Sequence, residues 1–143
     1  MTRTINITIL ALIFSACSKE PEPLIYGKDQ CYSCKMTLMD RKFGAELVTS
    51  KGKIYKFDDV NCLFNFYNEG TVNKDDYAFK LVVDFSQPEK LINAETARYL
   101  KSPGIKSPMA SEVAAFESSN PTLKAEWNAT EFGWSELEDQ FTR

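Results

Sequence analysis

The stretch AELVTSKGKIYKFDDVNCLFNFYNEG, residues 45–70, decides the fold. Ala45 to Thr49 and Ile54 to Phe57 carry strand-forming residues, and Ser50-Lys51-Gly52-Lys53 between them is a polar, glycine-containing turn, so the two runs read as a hairpin. Asp58 and Asp59 follow, both good helix N-cap residues. Val60, Leu63, Phe64 and Tyr67 then recur at the spacing of one helical face, and Gly70 stands where a helix would stop. The spacing predicts a helix over residues 60–69. Tyr77 to Phe85, which includes Ala78-Phe79-Lys80-Leu81-Val82-Val83, reads as a largely buried strand. Residues 29–88 thus form a β-β-α-β module.

The pattern continues more weakly over residues 89–143. Leu91-Ile92 is a short apolar run, and Ala97, Tyr99 and Leu100 lead into the loop Ser102-Pro103-Gly104-Ile105-Lys106-Ser107-Pro108-Met109, irregular because of its prolines and glycine. Val113 to Phe116 reads as a strand, Asn120-Pro121 as a helix start, and Leu123 to Asn128 as a short helix, after which Phe132, Trp134 and Leu137 alternate loosely. A second β-β-α-β module is the expectation, although the halves share too little sequence to be called a repeat. The fold class is α+β.

The N-terminus points to export. Arg3 precedes an apolar run from Ile5 to Phe14, too short to cross a bilayer, which takes roughly 20 apolar residues. Ser15-Ala16-Cys17 then fits a bacterial lipoprotein processing site, so residues 1–16 are expected to be a signal peptide and Cys17 the acylated new N-terminus. The polar, proline-bearing Ser18-Lys19-Glu20-Pro21-Glu22-Pro23 suggests an extended tether within residues 17–28. Serine after the cysteine, with no aspartate there, favours an outer-membrane anchor facing the periplasm. With 17 basic against 20 acidic residues and no long basic run, nothing gives the footprint of nucleic-acid binding.

Histidine is absent from the chain, which removes the commonest metal ligand and catalytic base together and excludes Ser-His and Cys-His nucleophile pairs. Once Cys17 is acylated, Cys31, Cys34 and Cys62 remain, with Met36, Met39 and Met109. Cys31-Tyr32-Ser33-Cys34-Lys35-Met36 places two thiols and a thioether within six residues. Thiolate with thioether selects Cu(I) over hard cations. Zinc comes second, because thioether suits it poorly and a carboxylate would have to complete its shell. On spacing alone a short Cys31–Cys34 disulfide fits an oxidising compartment as well as a metal site does. A thioredoxin-like motif is disfavoured, since no strand precedes the pair and no helical period follows it. Met36 and Met39 also read as core packing, and Cys62, one position off the apolar helix face, as semi-buried packing first and as a further member of the metal site second. Asp58 and Asp59 read either as helix caps or as part of a docking surface.

Several motifs together resemble the nitrous oxide reductase accessory lipoprotein family, NosL. They are Cys31-x-x-Cys34-x-Met36, Asp40-Arg41-Lys42-Phe43-Gly44-Ala45, Phe57-Asp58-Asp59 with Cys62, Val83-Asp84, Ile92-x-Ala94 and Ser107-Pro108-Met109, in order from about residue 29 to residue 117. The resemblance implies a Cu(I)-binding envelope chaperone, without turnover, that helps supply copper to nitrous oxide reductase together with a membrane ABC-type transporter complex. It also implies two β-β-α-β modules. Carried over residue by residue, it implies Cys34, Met36 and Met109 as ligands, with Cys31 as an alternative or transient one. The family usually has glycine between the cysteine and the methionine; here Lys35 stands there, expected to sit in an extended segment with its charge next to the ion. Two other functions compete: a thiol redox lipoprotein, and an enzyme like organomercurial lyase, to whose core the family's fold is related, using Cys31, Cys34 and Asp40.

Overall fold

The computed structural model describes residues 19–142. The signal peptide and Cys17 expected from the sequence lie outside the described residues. No helix among the described residues is long and apolar enough to cross a membrane.

The hairpin forms where the sequence places it. Strands β1 (Ala45–Thr49) and β2 (Ile54–Phe57) pair antiparallel, with Ala45 opposite Phe57 and Val48 opposite Ile54. Helix α1 (Val60–Glu69) starts at Asp59, whose carboxylate accepts a hydrogen bond from the Asn61 N–H at 3.1 Å. It ends at Gly70, whose φ of 73° is the left-handed conformation that a glycine cap supplies without steric cost. After a 3-10 turn (Lys74–Asp76), β3 (Tyr77–Val83) returns antiparallel along β1. It stops two residues short of Phe85 because Asp84 turns the chain: its carboxylate accepts from the Ser86 N–H at 2.9 Å and the Ser86 hydroxyl at 2.6 Å.

The next strand, β4 (Leu91–Asn93), does not open a second sheet. It pairs antiparallel with β3, so the first sheet has four strands in the order β2-β1-β3-β4. The second sheet is built from β5 (Arg98–Lys101), β6 (Val113–Phe116) and β7 (Thr130–Phe132) in the order β6-β5-β7, with α2 (Pro121–Glu126) between β6 and β7. The path β5-β6-α2-β7 repeats that of β1-β2-α1-β3: a hairpin, a helix, then a strand against the hairpin's first strand. Helix α3 (Trp134–Phe141) follows.

The two sheets share a core. Leu47, Phe57, Leu63, Phe64 and Val82 of the first part pack in one cluster with Tyr99, Val113, Ala115 and Leu137 of the second. Helix α3 closes it, Trp134 lying 4.7 Å ring to ring from Phe64. Because side chains alternate along a strand, Leu100, beside Tyr99, faces the other way into a smaller cluster with Phe43, Phe116 and Trp127.

The expected tether is bound to the fold from Glu22 onward. The Glu22 N–H donates to the Glu46 carboxylate at 3.0 Å, Leu24 is buried, and the Tyr26 hydroxyl donates to the Phe43 carbonyl at 2.6 Å. Gly44 makes room: at its φ of 128°, a Cβ there would stand 2.7 Å from Leu24 Cδ1 and 3.0 Å from the Tyr26 hydroxyl oxygen. Leu24 and Tyr26 are the residues that make continued extension into water unfavourable.

Candidate metal centre

The Cys31–Met36 segment is a tight turn fastened to the first sheet. The Cys31 N–H donates to the Met36 carbonyl at 2.8 Å and the Lys35 N–H to the Cys31 carbonyl at 3.0 Å, while Gln30 and Thr37 form a bridge below. The Tyr32 N–H donates to the Lys56 carbonyl at 2.7 Å, tying the turn to β2. Such a turn needs a left-handed residue, and Lys35 occupies that position with φ 64°. The segment is therefore not extended at Lys35, which accounts for the glycine expected there. The Lys35 ammonium folds back onto the Tyr32 carbonyl and lies 4.3 Å from the centre of the Tyr32 ring, so its charge is held by that residue.

At the end of β2, Asp58 brings a carboxylate under the turn. The Cys34 thiol donates to both Asp58 oxygens at 3.6 Å. One helical turn on, Cys62 points into the same place. The sulfurs of Cys31, Cys34 and Cys62 and a carboxylate oxygen of Asp58 all lie within 4.8 Å of one another. Cys31, Asp58 and Cys62 are buried and Cys34 is partly open, so the cluster has one accessible member. All three cysteines are free thiols.

Their acidities diverge. The Cys31 thiol is lowered to about 6, chiefly because Cys62 donates to its sulfur; burial opposes this, and the N–H groups of Cys34 and Asp58 assist. Cys62, which donates that bond and is itself buried, is pushed well up. Burial also raises Cys34. Three sulfurs thus converge with one carboxylate, and the hydrogen bond from Cys62 favours the thiolate form at the buried Cys31. Such a set of donors suits a soft cation, and a hard one poorly.

The methionines sit around the opening. Met36 is 56% exposed and Met39 71% exposed, so neither is core packing. Both line a groove of about 280 Å³ whose walls include Asp58, Lys106 and Pro108. Met109 is half-buried against the main core, and its backbone is pinned to α1: its N–H donates to Asp59 Oδ2 at 2.9 Å and its carbonyl accepts from Asn61 Nδ2 at 3.4 Å. The loop carrying Met109 is therefore held beside the turn carrying Met36. Asp59 caps the helix, as expected for this pair, whereas Asp58 belongs to the sulfur cluster.

The family model for NosL matches residues 24–133. The chain belongs to the NosL family. Among solved structures, it resembles the crystal structure of the copper chaperone NosL from Shewanella denitrificans, with a TM-score of 0.65 and 18% identity, covering 83% of this chain and 96% of that one. At that identity the likeness establishes the fold. No curated protein matches the chain.

Cys62, for which the sequence favours packing over the metal site, is a full member of the cluster in this NosL-family protein. Its signal was Phe66, four residues on. Together Cys62 and Phe66 define a second buried stripe on α1, turned toward the Cys31–Met36 turn, where Phe66 lies 5.0 Å ring to ring from Tyr32. An apolar stripe widened to include Phe66 would have carried Cys62 to the site.

Proposed function

We propose that this NosL-family protein is a Cu(I)-binding metallochaperone that carries copper for the maturation of nitrous oxide reductase. The observation that carries the reading is the convergence of three free thiols on the Asp58 carboxylate, beside a groove lined by Met36. Thiol and thioether sulfur in that number match Cu(I), and the absence of histidine removes the donor that would broaden the choice. The copper chaperone from Shewanella denitrificans, with the same fold, supports the assignment of copper as cargo.

Cys34 is the primary ligand, because it is the accessible thiol of the cluster, with Met36 and Met109 as thioether ligands and Cys31 as an alternative. The protein binds and releases the ion without turnover. In the cell it is a lipoprotein anchored through Cys17, facing the periplasm from the outer membrane. It passes copper toward nitrous oxide reductase through that enzyme's ABC-type maturation complex.

Anaerobic titration of the reduced protein with Cu(I), in competition with a chromophoric chelator, tests the reading. One ion should bind tightly, and Cys34→Ser should weaken binding at least tenfold. Absence of binding, or equal binding by the variant, overturns it.

A further inference from the structure

We infer that the copper cargo has two stations in this protein: a thioether mouth that includes Met39, and an interior thiol position made by Cys31 and Cys62, with Cys34 shared between them. The inference rests on the chaperone reading above and extends it to two residues, Met39 and Cys62, outside the Cys34, Met36, Met109 and Cys31 set.

The structure separates the sulfur donors into two layers. The outer layer is thioether. Met36 and Met39, three residues apart, line one groove and are among the most exposed apolar side chains of the described residues. Exposing two long apolar side chains beside each other is unfavourable in water, and a thioether pair at a groove walled by Asp58, the carboxylate of the thiol cluster, gives them a use. The inner layer is thiol. Cys31 and Cys62 are buried, come from different segments of chain, and their sulfurs lie within 4.8 Å of each other and of the half-open Cys34. Cys34 therefore stands between the layers: its thiol meets the Asp58 carboxylate, which walls the groove, and its sulfur lies beside the buried pair.

The chemistry orders the layers. Neutral thioethers hold Cu(I) more weakly than thiolates do, so an ion caught at the mouth moves inward by exchanging thioether sulfur for thiolate sulfur. The ion remains Cu(I) throughout, and each thiol that becomes a ligand releases its proton to solvent. Delivery reverses the path: a partner offering sulfur at the mouth draws the ion out through Cys34.

The two layers predict different defects. Loading from a preformed Cu(I)–chelator complex is followed by stopped flow, and equilibrium affinity by competition, on the full chain. The exposed variant Met39→Leu should slow loading at least threefold while weakening equilibrium affinity by less than threefold, and the double variant Met36→Leu, Met39→Leu should slow loading at least tenfold. Restoring Met39 alone should recover part of the rate. Cys62→Ser should weaken affinity at least tenfold, and X-ray absorption of the loaded variant should show fewer short copper–sulfur distances than the wild type. Because Cys62 is buried, Cys62→Ala is measured alongside, with thermal melts of both apo variants to establish folding. Wild-type binding with a Cys62→Ser affinity within twofold of it overturns the interior station. A methionine double variant that loads at the wild-type rate overturns the mouth. A wild-type chain that takes up no Cu(I) overturns the chaperone reading and this inference with it.

Discussion

At the residue scale, burial has done its most unusual work on Glu46. This carboxylate sits in the inner strand β1 with no exposed surface; one oxygen accepts from the Glu22 N–H, and the other has no hydrogen-bond partner among the described residues. Desolvation raises its pKa from 4.5 to about 6, against the opposing pull of the Glu22 N–H and the Lys56 ammonium. The folded-state value lies above the unfolded one, so the carboxyl's contribution to stability is fully present below about pH 4.5 and is lost as pH rises through about 6. Glu46→Gln keeps an acceptor for the Glu22 N–H and removes the charge. It should gain about 1–2 kcal/mol over wild type at pH 7.5 relative to pH 4.5. Urea unfolding at the two pH values measures this; a gain independent of pH would mean that Glu46 is not the titrating group. Because Glu22 belongs to the segment leading from the N-terminus, the same residue fixes where the chain leaves the folded domain.

At the element scale, α1 is the part that joins the sulfur turn to the methionine loop, and its N-cap makes the junction. Asp59 uses one oxygen to cap Asn61 and the other to hold the Met109 N–H. Removing the cap costs about 1–2 kcal/mol, and Asp59→Ala also leaves the Met109 amide without its acceptor. Asp59→Asn retains a single oxygen and can serve only one of the two donors. Asp59→Ala should therefore destabilise by about 2 kcal/mol and Asp59→Asn by about half of that. Both should lose hydrogen-exchange protection at Met109; a protected Met109 amide in Asp59→Ala would contradict the double role. The elements of the first part were readable because each carries a local signal: alternation in the hairpin, Asp-Asp before a 3.6-residue period, Gly70 after it. The placement of β4 was not. Its three residues have no pattern that chooses between sheets, and the choice falls to the turn that Asp84 makes, which returns Leu91–Asn93 along β3. The site was readable to the same degree. Cys31, Cys34 and Met36 are neighbours in sequence, whereas Cys62 and Asp58 join them only once the hairpin and α1 have folded over the turn.

At the scale of the whole molecule, the repeated strand-strand-helix-strand path suggests two units, but the packing makes one. The main cluster takes side chains from both sheets, and α3, which follows the second sheet, packs on Phe64 and Tyr67 of α1 in the first part. Neither sheet can bury its inner face without the other, so the halves should unfold together. The two tryptophans report on opposite sides of the second sheet: Trp134 sits in the shared core against Phe64 and Tyr67, and Trp127 in the smaller cluster against Phe85 and Phe116. Trp127→Phe and Trp134→Phe each leave a single emitter. Denaturant titrations of the two should give coincident fluorescence transitions after correction for each variant's own stability by circular dichroism. Adding Phe64→Ala in α1 should lower stability by about 3–5 kcal/mol and shift the Trp127 transition as far as the Trp134 transition, although Phe64 is not among the rings around Trp127. A Trp127 signal that stays in place while the Trp134 signal moves would show two independent units. In that case the Met109 loop, which belongs to the second sheet's connection, could detach from the cysteine turn without global unfolding.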